Sequence, residues 1–204
     1  MKGELALKGL AFGFILAATV GPMWVLCLRR TLASGALVGL ASGMGIALAD
    51  GFYGAVAAFG LTAISGFLLA HAFWIGLAGT AFLLYLGVKT LMASPQIEEK
   101  AESPLSLPSA FLSTLGLTLT NPPTILAFAA VFAGLGLAST SDYAAAGLVV
   151  AGVFLGSAAW WVVLVAAAGK LRSHMGPRLF RAINVIAGLS ILAFAAWQIV
   201  VLFR

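Results

Sequence analysis

Six stretches of the chain, residues 5–28, 36–63, 72–92, 110–137, 144–168 and 182–203, are almost unbroken runs of apolar residues. Each is about as long as a helix must be, roughly 20 residues, to cross the hydrocarbon core of a bilayer. The runs lack the every-second-residue alternation of a membrane barrel strand. Lipid offers backbone N–H and C=O groups no partners, so continuous apolar runs there become helices, whose hydrogen bonds close within the segment. Composition leaves little room for another answer. Of 204 residues, 62% are apolar and 8% are charged, whereas a soluble domain carries about 25% charged residues. Six acids and eleven bases are too few to coat a globule of this size, so a soluble enzyme is close to excluded. The expected fold is an all-α membrane protein with six transmembrane helices.

The few charges are informative because of where they fall. The chain has a formal net charge of +5 and a pI near 9.8. Its bases are scattered at the ends of the apolar runs and form no basic stripe with interleaved aromatics, so nucleic acid is not an expected partner. They read as anchors on the cytoplasmic side. The connections after runs 1, 3 and 5 hold Arg29, Arg30, Lys89, Lys100, Lys170, Arg172, Arg178 and Arg181, and the other face has Lys2, Lys8 and Arg204. This places both termini outside. Lys2 and Lys8 before an apolar run resemble a signal peptide, but the apolar character continues, so the expectation is a retained first span. Cys27 is the single cysteine and the two histidines, His71 and His174, lie far apart. Neither a disulfide framework nor a zinc box can be assembled within the chain, and no metal or cofactor is expected.

One polar connection, residues 93–108, holds Pro95, Glu98, Glu99, Lys100, Glu102, Pro104 and Pro108. It divides the chain into residues 1–92 and 109–204. The halves look related. Thr19-Val20-Gly21-Pro22 echoes Thr120-Asn121-Pro122-Pro123, and Ala78-Gly79-Thr80-Ala81-Phe82-Leu83 echoes Ala187-Gly188-Leu189-Ser190-Ile191-Leu192. Three spans per unit is an odd number, so the second unit must sit upside-down relative to the first, as in many secondary transporters. Chance similarity between Ala/Gly/Leu-rich helices is the competing explanation.

Asp50, near the middle of run 2, is the sharpest single feature. A carboxylate at bilayer depth costs several kcal/mol on most scales, so it must face a cavity, find a partner or stay protonated. It can bind a substrate ammonium, carry a coupling proton, or do both in turn; otherwise it is a structural acid bonding a neighbouring helix. Tyr53 lies three residues on and shares its helical face, where it can orient the carboxylate, line a path or simply pack. Gly21-Pro22 and Asn121-Pro122-Pro123 should bend or break their helices, because proline removes a donor and clashes with the preceding turn. Broken helices at matching places in two repeats point to a transport site, and their half-helix N-termini attract a carboxylate. With Asp50 attracting an amine, a zwitterion site results; the plainer reading is a pair of proline kinks. Gly35, Gly39, Gly43, Ala47, Gly51 and Ala55 recur every four residues, which close helix packing explains. Trp160 and Trp161 lie deep in run 5, either lining the path or filling the core, and each indole N–H needs an acceptor. Asn184 in run 6 is expected to hydrogen-bond between helices.

The order Gly21-Pro22, Arg29, Gly35, Gly39-Leu40, Gly43, Gly45 and Asp50, followed by Asn121-Pro122, Gly156-Ser157, Trp160-Trp161, Asn184 and Gly188, resembles the LysE/RhtB group of bacterial amino-acid exporters over nearly the whole chain. Two positions depart from the family pattern. Val20 stands where many members have the first proline of Pro-Gly-Pro, and Pro123 stands where many have lysine after Asn-Pro. The resemblance implies a multi-pass exporter in the bacterial cytoplasmic membrane that moves amino acids or related small metabolites by the proton gradient, with a homodimer as its oligomeric form.

Other classes fit less well. A membrane enzyme needs a clustered nucleophile, base or metal set, and a redox relay needs paired cysteines. A transition-metal path favours several His or Cys ligands. Without a Gly-x-x-x-x-Gly-Lys motif, ATP-driven pumping by this chain alone is not expected.

Overall fold

A computed structural model describes residues 2–59, 67, 70–92, 105–121, 124, 128, 143–172 and 176–203. These residues hold seven helices: α1 (Lys2–Ala18), α2 (Pro22–Ser34), α3 (Ala36–Ala58), α4 (Ala72–Leu91), α5 (Leu107–Leu119), α6 (Tyr143–Arg172) and α7 (Pro177–Leu202). The second, third, fifth and sixth apolar runs correspond to α3, α4, α6 and α7, all four long and apolar enough to cross a bilayer.

The first run breaks where expected, at Gly21-Pro22, and extends beyond its expected end to Ser34. It consists of two helices, α1 and α2, which meet at 75°. Gly21 is extended, with φ −153° and ψ −174°, and Pro22 opens α2. Proline lacks an N–H and cannot continue α1, but its fixed φ suits the first position of a new helix. Counted as one broken span the pair brings the candidate spans among the described residues from four to five; a re-entrant loop is the other arrangement such a bend allows. In the fourth run, α5 has 13 residues, about 20 Å of helix, too short to cross the membrane. It starts on Ser106, whose Oγ accepts from the Ser109 N–H, and stops just before Asn121. Most of residues 122–142 lie outside the described residues.

Packing follows the small residues. Gly9 and Gly13 of α1 face Gly152 and Gly156 of α6 so closely that a Cβ on any of the four would run into backbone of the other helix. Two Gly-x-x-x-Gly spacings therefore mark the α1–α6 interface, as in lipid generally. The Gly/Ala stripe of α3 behaves as expected. Gly43 lies against Trp161, Gly51 against Phe154 and Gly39 against Thr31, while Gly45 brings α3 against the backbone of α5. Helix α4 pairs with α7, and α2 lies against α3, α6 and α7. Gly35 alone joins α2 to α3, with φ 93°, a left-handed conformation that glycine adopts without steric cost. Large apolar side chains such as Ile15, Leu48, Phe52, Val162, Val163 and Val200 point outward, as the surface of a protein solvated by lipid should.

Candidate functional site

Asp50 lies about 21 Å along α3 at a rise of 1.5 Å per residue, and is 3% exposed. The Ser157 hydroxyl of α6 donates to its Oδ2 at 2.7 Å. Trp161, one turn further along α6, donates its indole N–H to Ser157 Oγ at 3.2 Å. Ser157 can reach because Gly51 and Gly54 let α6 approach α3 at Phe154 and Val153. Among the described residues no base pairs with Asp50. A hydroxyl both donates and accepts, so Ser157 can serve a carboxylate or a carboxylic acid at this position. Of the two tryptophans it is Trp161 that joins Asp50. Trp160 stacks edge-on against Phe14 at 5.3 Å, and its buried indole N–H has no partner among the described residues.

Tyr53 turns to a different task. Its hydroxyl donates to the Leu119 carbonyl at 2.6 Å, and its ring lies 5.7 Å from that of Phe128. The chemistry of the break explains the bond. In a continuous helix the carbonyls of Thr118 and Leu119 would accept from the N–H groups of residues 122 and 123, and both are prolines. Asn121 N–H serves Thr118 instead, and Tyr53 serves Leu119. The Thr120 hydroxyl returns to the Gly116 carbonyl at 2.9 Å. The α1–α2 break has the same cap, since the Thr19 hydroxyl bonds the Ile15 carbonyl at 3.2 Å. Beyond it, Val20 is 73% exposed, Gly21 has open space where a Cβ would be, and no side chain caps α2.

Asn121 is buried at the end of α5. Its Oδ1 accepts from Gln198 Nε2 at 2.8 Å, and its Nδ2 donates to Thr124 Oγ1 at 3.0 Å. Gln198 Oε1 in turn accepts from the Thr80 hydroxyl at 2.8 Å. This chain ties α4, α7 and the break together. Gln198 and Thr80 were not among the expected site residues, although a glutamine inside the apolar run 182–203 is a readable signal. Pro122 and Pro123 lie outside the described residues.

Asn184 stands apart from Asp50, nearer the basic ends of the helices. It is wholly buried, and its Oδ1 accepts from Arg29 Nε at 3.0 Å. Arg29 borders a cavity of about 1010 Å³ whose wall also includes Arg30, Tyr85, Lys89, Thr90 and Ser113. Arg30 is 5% exposed. It donates to Ser42 Oγ at 3.1 Å, the Ala110 carbonyl at 3.0 Å and Ser113 Oγ at 2.9 Å. The structure therefore divides the expected site residues between an acid at bilayer depth, a capped helix break and a basic cavity.

An apolar helical bundle with a break at Gly21-Pro22 and, among the described residues, one buried acid fits a membrane translocator. The LysE type translocator family model matches residues 14–200, and the chain belongs to that family. It is 28% identical over 198 residues to the Bacillus subtilis (strain 168) "Putative amino acid efflux protein YcgF", covering 94% of this chain and 93% of that one. It is 31% identical over 140 residues to the "Uncharacterized membrane protein YahN" of Escherichia coli (strain K12), covering 67% and 62%. No solved structure matches it significantly. The resemblance carried by the Gly-Pro, glycine and acid pattern is borne out.

Proposed function

We propose that this translocator is a secondary exporter of amino acids or related small zwitterions, driven by protons through alternating access. The observation that carries this reading is Asp50, an acid at bilayer depth held by the Ser157 hydroxyl and without a cationic partner among the described residues. Membrane acids in this situation mark ion and substrate paths. Protonated, Asp50 crosses the closed state as a neutral group; ionised, it attracts a substrate ammonium. The Ser157–Trp161 pair accommodates both forms.

The helix pairing supports six spans in two inverted repeats. Exchanging α1 with α5, α3 with α6 and α4 with α7 leaves the principal contacts unchanged, because α1 lies on α6 and α5 lies on α3. The back-bonded threonines Thr19 and Thr120 cap the two breaks alike. Leu26 and Leu86 of the cavity wall share a buried cluster with Ile46, Ala47, Leu83 and Trp161. This packed layer leads from the cavity to the Asp50 network and acts as the closed gate. By the positive-inside rule the basic cavity opens to the cytoplasm of a bacterial cell and both termini lie outside.

The test is efflux of amino acids from loaded proteoliposomes under an imposed pH gradient. Asp50→Asn should abolish the gradient's effect while the protein still inserts. Unchanged proton-driven efflux in that variant overturns the reading.

A further inference from the structure

We infer that Trp161 is a positioning residue that ties the closing layer of the translocator to the proton state of Asp50, acting through Ser157. This deepens the export reading and rests on it. It adds the means by which the acid senses whether the layer is packed.

Trp161 belongs to both parts. Its side chain is buried in the cluster that holds Leu26, Ile46, Ala47, Leu83 and Leu86, while its N–H donates to Ser157 Oγ at 3.2 Å. Ser157 in turn donates to Asp50 Oδ2 at 2.7 Å. An indole nitrogen can only donate, whereas a hydroxyl offers one hydrogen and two lone pairs. With Trp161 on one lone pair, Ser157 directs its hydrogen to the acid, the arrangement a carboxylate needs. To meet the protonated acid, Ser157 accepts on its second lone pair and turns its own hydrogen elsewhere, as helical serines do toward the carbonyl four residues back. The indole donor thus enters the balance between the two arrangements. Its base is held by close packing, since a Cβ on Gly43 would run into Cβ and Cγ of Trp161. Separation of the layer that moves α6 against α3, or turns the ring, takes the N–H away from Ser157. Coupling of this kind is reciprocal, so a proton at Asp50 acts on the packing of the layer in return. The ionisable groups on the helices packed against α3 are engaged elsewhere or distant. Cys27, Arg29 and Arg30 of α2 bond Gly39, Asn184 and Ser42, and α5 carries none. Tyr143, Lys170 and Arg172 of α6 lie 13 or more residues from Ser157, about 20 Å along the helix. On α3 itself, Tyr53 bonds Leu119.

The experiment follows the carboxyl stretch of protonated Asp50 by infrared difference spectroscopy of the full chain in proteoliposomes as pH is varied, with the band assigned by its loss in Asp50→Asn. Trp161→Phe keeps an aromatic ring in the layer and removes the N–H. It should move the midpoint of the band's pH dependence by about 0.3–1 unit. It should also lower the ratio of proton-driven to downhill efflux about two- to tenfold, the range of a single hydrogen bond. In a Ser157→Ala background the same substitution should change neither quantity. An unmoved midpoint in Trp161→Phe overturns the inference, as does an equal effect with and without Ser157, which would mark Trp161 as packing alone. A wild-type protein with no such band overturns it too. If Trp161→Phe does not fold, β-(3-benzothienyl)alanine at position 161, which keeps both rings and lacks the N–H, decides by the same outcomes. A moved midpoint beside wild-type efflux that ignores the pH gradient sinks only the exporter reading. Proton-driven efflux beside an unmoved midpoint sinks only the link through Trp161.

Discussion

Tyr53→Phe isolates one hydrogen bond. The substitution removes an oxygen and keeps the ring, so packing against Phe128 and Phe52 is retained. What is lost is the 2.6 Å bond to the Leu119 carbonyl. That carbonyl ends α5, and the residue that would serve it in a continuous helix is Pro123, which has no N–H. Leaving a buried acceptor without a partner costs about 1–3 kcal/mol. For a chain of about this size, 1 kcal/mol corresponds to roughly 2–4 °C in Tm, so Tyr53→Phe should lower the Tm by about 2–12 °C. Thermal unfolding of the purified protein in a mild detergent, followed by loss of the monodisperse peak in size-exclusion chromatography, measures this. Tyr53→Leu, which also loses the ring contacts, should be lower again. A Tyr53→Phe protein melting within 1 °C of wild type would refute the idea that Tyr53 caps the broken helix.

Further perturbations test other parts of the molecule. Ser157→Ala removes the hydroxyl that meets Asp50 and should cut proton-driven efflux about tenfold or more, a loss of a charge-assisted hydrogen bond; efflux at the wild-type rate would count against the pair. Gln198→Leu cuts the chain from Thr80 to Asn121 and should cost about 1–3 kcal/mol in the same unfolding assay. Gly156→Leu should force α1 from α6, because even a Cβ at this position meets Leu10 backbone, and should abolish recovery of monodisperse protein; normal recovery would contradict the close pairing. A cysteine appended at the C-terminus should be labelled from outside intact cells, with little background from Cys27, which is fully buried; labelling only after permeabilisation would reverse the orientation.

Four of the apolar runs, as helices of membrane-spanning length, and the break at Gly21-Pro22 were legible in the residues because both depend on local chemistry. Twenty apolar residues must become a helix in lipid whatever surrounds them, and Pro22 or Pro122 removes a donor wherever the chain goes. The boundaries were less legible. Run 1 was bounded at residue 28 whereas α2 continues to Ser34, and the 75° angle at the break depends on where α2 finds neighbours. Asp50 stood out by its cost, and the LysE-type pattern by the order of its residues.

What the sequence by itself determined, then, is that several segments are helices apolar enough for a bilayer, that one helix breaks at Gly21-Pro22, that Asp50 lies deep in another and to which family the chain belongs. Only the tertiary structure decided the partners. Asp50 meets Ser157 across 107 residues, Tyr53 meets Leu119 across 66, Gln198 meets Asn121 across 77 and Arg29 meets Asn184 across 155. Such pairs depend on which helix faces which and at what height. In lipid that is settled by close contact at glycines and by polar side chains seeking one another, not by the apolar pattern, which a neighbouring helix and the bilayer satisfy equally well.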